Sequence, residues 1–227
     1  MDGFLLIDKE QDWTSFDVVA KLRNVLREKH IGHAGTLDPM ATGLLIVMLG
    51  KGCKSSDALM HHGKEYIAKL RLGIETDTQD IWGNIMSTKS APDLSEEEMK
   101  KALSSFIGDI QQIPPMYSAI KKNGKKLYEI ARCGGEVERE PRPIHVESIE
   151  ILGREGQDWD LKIQCSSGTY IRTLCNDIGN SIGCGGCMAA LRRTKIGKAM
   201  VENAHRVSEI EGEEYVLPLD TPFEDLI

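Results

Sequence analysis

The sequence predicts a mixed α/β or α+β fold rather than a doubly wound one, and three observations carry that expectation. Strand-like and helix-like stretches are interleaved without strict βαβ repetition. The run TGLLIVMLG (42–50) is short, apolar and bounded by glycines, as a buried strand would be. With 227 residues, of which 41% are hydrophobic and 28% charged, the chain can bury a sizeable core in one large or two small domains.

Taken in order, GFLLID (3–8) reads as a short strand. TSFDVVAKLRNVLREKH begins with a Thr/Ser cap and repeats apolar residues at Phe16, Val19, Leu22 and Leu26, which predicts a helix. After the loop HIGHAGTLDPMA comes the apolar strand, and CKSSDALMHH looks like a short helix. EYIAKLRLG alternates as a strand, with GNIMSTK as its partner across the polar turn IETDTQDIW. LSEEEMKKALSSFIGD has a Ser95 cap, acids in its first turn and a stripe through Met99, Leu103 and Phe106, making a helix. From QQIPPMYSAIKKNGKKLYEIARCGGEVEREPRP the composition turns to proline, glycine and charge, a long excursion of the kind that is functional or disordered. HVESIEIL and WDLKIQCSSG resume as strands, YIRTLCNDIGNSIG as a helix and RTKIGKAMV as a last strand.

Charge and cysteine usage narrow the class. No apolar run approaches the roughly 18 residues of a membrane span, and MDGFLLIDKE lacks the basic start of a signal peptide, so the reading is cytoplasmic. Six cysteines without a secretory signal read as reduced thiols. Cys184 and Cys187 have ligand spacing, but a lone pair is weak support for zinc, and no metal is assigned. A net charge of −7 argues against a nucleic-acid partner, yet eight acids between Glu202 and Asp225, against Arg206 alone, account for it. The rest is formally neutral with basic clusters, of which KKNGKK (121–126) with Arg132, Arg139 and Arg142 is either a solvated loop or a phosphate-facing arm.

The loop before the apolar strand raises the chemical question. Asp38 precedes Pro39, which restricts it to extended backbone, while Gly32 and Gly35 allow tight turns and close backbone approach. A carboxylate held this way is a candidate nucleophile or base; the plain alternative is a turn former.

The run GHAGTLDPMATGLLIVMLG followed by KGCK closely resembles the signature of the TruB family of pseudouridine synthases, which isomerise a uridine in the TΨC arm of tRNA. KEYIAKLRLGIETDTQDIWG, QIPPMYSAIKKNGKKLYEIARCG, REPRPIHV, CSSGTYIRTLCNDIGNSIGCG and LRRTKIG match further family segments in the same order, from Gly3 to about Pro218. The resemblance implies an α+β pseudouridine synthase fold, with a central mixed, mainly antiparallel sheet flanked by helices. It implies a catalytic domain over 1–218, with 114–142 as an RNA-gripping loop insertion, and a tail over 219–227 without a PUA-type domain. It also implies isomerisation of the uridine at position 55 without a guide RNA. Neither metal nor organic cofactor is expected; the partner is tRNA, with no membrane and no obligatory protein partner, and the protein is read as a monomer.

By the same resemblance Asp38 is the catalytic carboxylate, Arg172 the arginine that pairs with it, and Tyr66 the tyrosine that stacks on the flipped base and assists proton transfer. Attack on the ribose, attack on the base and abstraction of a sugar proton all require the ionised aspartate, which a nearby arginine favours. A target inside a folded RNA arm must be flipped out to be reached. His33 matches a histidine supporting the displaced stack, with Gly35 and Thr36 beside it. Tyr170 and Leu191 match the pocket's aromatic and apolar walls, and Lys121, Lys122 and Arg142 belong to the gripping loop. Two readings compete: a guide-dependent subunit of a ribonucleoprotein, and a non-catalytic tRNA-binding or folding module. The chain departs from the family's KPxGxTS near its start, where Glu10 and Asp12 replace proline and glycine, and Cys187 stands where histidine is frequent.

Overall fold

A computed structural model describes residues 1–122 and 124–221; the end of the expected tail, 222–227, and position 123 of KKNGKK lie outside the described residues. In chain order the strands and helices begin with β1 (Gly3–Lys9), α1 (Ser15–Leu26), β2 (Ile31–Ala34), β3 (Thr42–Leu49), α2 (Ser56–Met60) and β4 (Lys64–Leu72). Then come β5 (Ile74–Thr76), β6 (Ile85–Thr88), α3 (Glu96–Ser104), β7 (Gly108–Gln112), β8 (Lys121–Lys122), β9 (Lys125–Lys126) and α4 (Leu127–Arg132). The remainder are β10 (Arg142–Glu155), β11 (Asp158–Cys165), α5 (Ile171–Ile182), β12 (Gly186–Ile196), β13 (Ala199–Met200) and β14 (Leu217–Pro218). Two compact units result, 1–67 with 191 onward, and 68–190; the chain crosses between them within β4 and β12.

In the first unit β3 is the central strand. It pairs antiparallel with β1 along one edge; β2, antiparallel, and β12, parallel, share the other, so the sheet is mixed but mainly antiparallel. Every residue of β3 from Gly43 to Leu49 is buried, because both faces of the sheet are covered. Phe4, Leu6, Leu44 and Ile46 pack on one face, while Leu5, Ile7, Leu45 and Val47 meet Val18, Val19 and Leu22 of α1 on the other. Each such side chain contributes about 1.5–3 kcal/mol on burial. Thr14 caps α1 in a reciprocal box with Asp17, as its sequence predicts. Phe16 departs from the expected stripe and is 62% exposed, since the buried face centres on Ser15, Val18, Val19, Leu22 and Leu26. Its ring instead lies under the Arg23 guanidinium, 5.7 Å away.

The second unit carries antiparallel β10 between β11 and β7. The helix α3 begins at Ser95 in a capping box with Glu98 and packs on α5 and β10. GNIMSTK does supply a strand, β6, but its partner is β5, which lies inside the expected turn, rather than EYIAKLRLG, which forms β4. Strands not expected from the sequence include β2 in the Asp38 loop, β7 directly after α3, and β8 and β9, the hairpin inside the basic excursion. The last long strand, β12, starts at Gly186, earlier than the RTKIG pattern suggests. Among the described residues no helix is long and apolar enough to cross a membrane.

Candidate active site

The Asp38 loop leaves β2 at Gly35, whose φ of +79° suits glycine, and re-enters the sheet at β3. Its backbone is fastened on both sides of the carboxylate. The Leu37 amide donates to Ser15 Oγ at 2.9 Å, and the same hydroxyl donates to the Leu37 carbonyl at 3.2 Å. The Asp38 carbonyl accepts from the Ala41 amide, and the Pro39 carbonyl from the Asp12 amide. Asp12 adopts φ +67°, the left-handed conformation for which the family motif carries glycine, so the replacement keeps the turn.

Two buried cations hold this loop, and neither was singled out from the sequence. The Lys9 side chain is wholly buried, and its Nζ donates to the carbonyls of Trp13 (2.7 Å), Glu10 (3.0 Å) and Pro39 (3.2 Å). Burial pushes the ammonium down to about 8, while the Asp38 carboxylate works to keep it charged. Arg193, 1% exposed, donates through Nε to the Leu44 carbonyl at 2.7 Å and through Nη2 to the Gly35 carbonyl at 3.0 Å. Tyr66, on β4, is 7% exposed. His33 sits on β2 with its Nδ1 buried and without a hydrogen-bond partner among the described residues. Burial, and then the positive charge of Arg193, hold the imidazole below the usual histidine range, toward its neutral form. Thr36 is exposed and Leu191 half-buried, two positions before Arg193 and on the same face of β12. Asp38, Tyr66, His33, Gly35, Thr36 and Leu191 thus all belong to the first unit.

Arg172 and Tyr170 belong to the second. Arg172 lies in the first turn of α5 and is 5% exposed. Its guanidinium donates to the carbonyls of Tyr117 (2.9 Å) and Thr78 (3.1 Å) and stands 3.7 Å from the Asp80 carboxylate. Asp80 is held in turn by the Thr78 hydroxyl at 2.8 Å and the Trp82 amide at 3.2 Å. The TDTQD turn therefore orients the arginine, a role that the sequence reading did not assign to Asp80. Tyr170 is oriented through its backbone by Gln112, 2% exposed, which accepts from its amide and donates to its carbonyl. Arg142 pairs across the strands with Gln112 and points a charge to the surface.

In the basic excursion Lys121 faces Lys126 and Lys122 faces Lys125 across the β8–β9 hairpin. Like charges directly opposite each other destabilise a strand pair. Lys122 donates to the Glu138 carbonyl, and Tyr128 lies beneath both Lys126 and Arg132, 5.4 Å from each. Cys184 and Cys187, the pair with ligand spacing, are buried free thiols, and burial pushes Cys187 up to about 11.

The α+β fold with its mixed, mainly antiparallel sheet is that of the pseudouridine synthases, and comparison with known proteins shows the family. Residues 23–171 match the TruB family pseudouridylate synthase N-terminal domain, and residues 172–224 match the tRNA pseudouridylate synthase B C-terminal domain. The chain is 49% identical to the tRNA pseudouridine synthase B of Opitutus terrae over 93% of its own length and 88% of that protein. It is 47% identical to that of Clostridium tetani over 97% and 77%. Among solved structures it resembles a chain of a Cbf5-Nop10-Gar1 complex, with a TM-score of 0.72 and 32% identity, covering 92% of this chain and 53% of that one. It also resembles a chain of an H/ACA RNP bound to a substrate RNA containing 2'-deoxyuridine, with a TM-score of 0.69 and 29% identity, covering 92% and 52%. The chain spans about half the length of these two solved chains. The chain belongs to the TruB family and is a pseudouridine synthase.

Proposed function

We propose that the protein converts the uridine at position 55 in the TΨC arm of tRNA to pseudouridine, acting as a monomer without a guide RNA or protein partner. Asp38 acts as the ionised carboxylate on a flipped-out nucleotide, and Tyr66 stacks on the base and handles a proton. Arg172 pairs with the carboxylate, while His33, Gly35, Thr36, Tyr170 and Leu191 shape the pocket. Lys121, Lys122 and Arg142 meet the phosphates. The observation that carries this reading is the pinning of the Asp38 loop from residues 9, 12, 15 and 193, because a carboxylate fixed to a rigid frame is preorganised for chemistry. The names of the relatives from Opitutus terrae and Clostridium tetani support tRNA as the substrate.

The test is incubation with an unmodified tRNA transcript labelled with tritium at C5 of uridine. Release of about one tritium per tRNA, abolished when position 55 is changed to cytidine, is the expected result. The two solved relatives come from assemblies with protein or RNA partners, which gives a guide-dependent reading its one support. Release that requires an added guide RNA would favour it.

A further inference from the structure

We propose that Gln112 is a positioning residue for this reaction: its side-chain amide clamps the start of α5, and with it Tyr170 and Arg172, to the strand from which the basic excursion departs. The inference rests on the pseudouridine-synthase reading and gives a task to a buried side chain to which no motif role is assigned.

The need for a clamp lies in how α5 begins. Helix starts are ordinarily fixed by a Ser, Thr, Asp or Asn side chain at the N-cap. Here the N-cap is Tyr170, whose side chain makes no capping hydrogen bond, and the turn before it passes through Gly168 at φ +83°. The fixing group comes from another strand. Gln112 Oε1 accepts from the Tyr170 amide at 2.9 Å, and Nε2 donates to the Tyr170 carbonyl at 3.0 Å. A side-chain amide carries an acceptor and donors at one end, so it meets the N–H and C=O of a single residue as a neighbouring strand would. The same carbonyl accepts from the Leu174 amide, the first bond of the helix, so the clamp grips α5 itself.

Gln112 stands where packing alone would place an apolar residue. It is the buried end of β7, and a buried amide is costly unless its hydrogen bonds are made. Both of the bonds above go to Tyr170. The basic excursion is rooted at the same residue, because the chain leaves β7 at Gln112 and returns on β10 at Arg142, its register partner. A second tie joins the same two pieces: the Arg172 guanidinium donates to the carbonyl of Tyr117, inside the excursion, at 2.9 Å. The stem of the excursion and the first turn of α5 are thus fastened twice, at the two residues with pocket roles. Arg172 follows Tyr170 by two positions, so a shift of the helix start moves both side chains together.

The experiment compares the parent with Gln112→Met, which keeps the length and burial of the side chain and loses both bonds. Tritium release gives kcat and KM separately, and circular dichroism follows folding. In folded Gln112→Met, kcat should fall by about 10- to 100-fold, the upper figure being the loss that a misplacement of about 1 Å brings, with KM little changed. An unchanged kcat, or a loss carried wholly by KM, overturns the proposal. A second measurement reads the clamp directly, by residue-resolved amide hydrogen exchange. In the parent the Tyr170 amide should be protected; in Gln112→Met it should exchange at least about tenfold faster, while amides in the body of α5 keep their protection. Equal acceleration along the whole helix would mark a merely stabilising residue and overturns the proposal. So does a Tyr170 amide unprotected in the parent, a result that stands even if the variant fails to fold. The exchange arm needs no tRNA. A parent that releases no tritium refutes the functional reading, while Tyr170 exchange still decides whether Gln112 holds α5.

Discussion

Raising the pH should stabilise the parent protein relative to a Lys9→Met variant, and the size of the effect follows from where Lys9 titrates. In the folded protein the buried ammonium loses its proton at about 8, against 10.5 for an ordinary lysine. Between those values the unfolded chain holds a proton that the folded chain has released, so stability rises with pH across that window. Below the lower value both states are protonated, and the folded state bears the full desolvation cost. From about pH 7 to about 9.5 the linkage amounts to roughly 2 kcal/mol, and it levels off near 3 kcal/mol above the unfolded value. Lys9→Met removes the group from both states. Urea unfolding of the two proteins at several pH values in that interval reads the difference directly, and common titrations elsewhere cancel. A parent-minus-variant difference that stays flat over the interval would show that Lys9 is not desolvated as its burial requires. A difference that shrinks as pH rises would mean that the Asp38 carboxylate outweighs burial.

Three further perturbations address the chemistry and the grip. Asp38→Asn should lower tritium release by at least about 10³-fold, within the span that positioned proton-transfer groups supply, with tRNA binding measured by filter retention largely kept; turnover near the parent rate would remove Asp38 from the reaction. Asp80→Asn removes the carboxylate that stands 3.7 Å from the Arg172 guanidinium and should cost about 1–3 kcal/mol of unfolding free energy, together with a fall in kcat; an unchanged pair of values would make that contact incidental. Replacing Lys121, Lys122, Lys125 and Lys126 with alanine should weaken tRNA binding and reduce the slope of log affinity against log salt by up to about 3, at roughly 0.7–0.9 per phosphate. Affinity and slope both unaltered would assign the grip to other residues.

What the sequence made legible and what it hid divide by the range of the interactions involved. Two of the predicted helices announce themselves through residues three apart, Thr14 with Asp17 and Ser95 with Glu98, and the structure realises both boxes. The central strand is legible because a run covered on both faces is apolar throughout. Phe16 misleads because it lies at the margin of the helical stripe, where a small rotation decides exposure. The strand β2 is four residues with half-buried Gly32 and His33 at its centre, too short for alternation to show. Lys9 and Arg193 were invisible for a different reason. A lone charged residue near an apolar stretch reads as surface, and what makes these two interior are backbone carbonyls contributed from 30 and 158 positions away, Pro39 to Lys9 and Gly35 to Arg193. Local pattern cannot report an acceptor that exists only once the sheet has formed. The same holds for Arg172, whose motif marks it while Thr78, Asp80 and Tyr117, which aim it, lie far back in the chain. Motifs in this chain therefore mark the candidate groups, whereas the groups that hold them still emerge only from the folded backbone. A substitution that spares every candidate site residue still alters what holds the Asp38 loop or Arg172 when it falls on Lys9, Arg193 or Asp80.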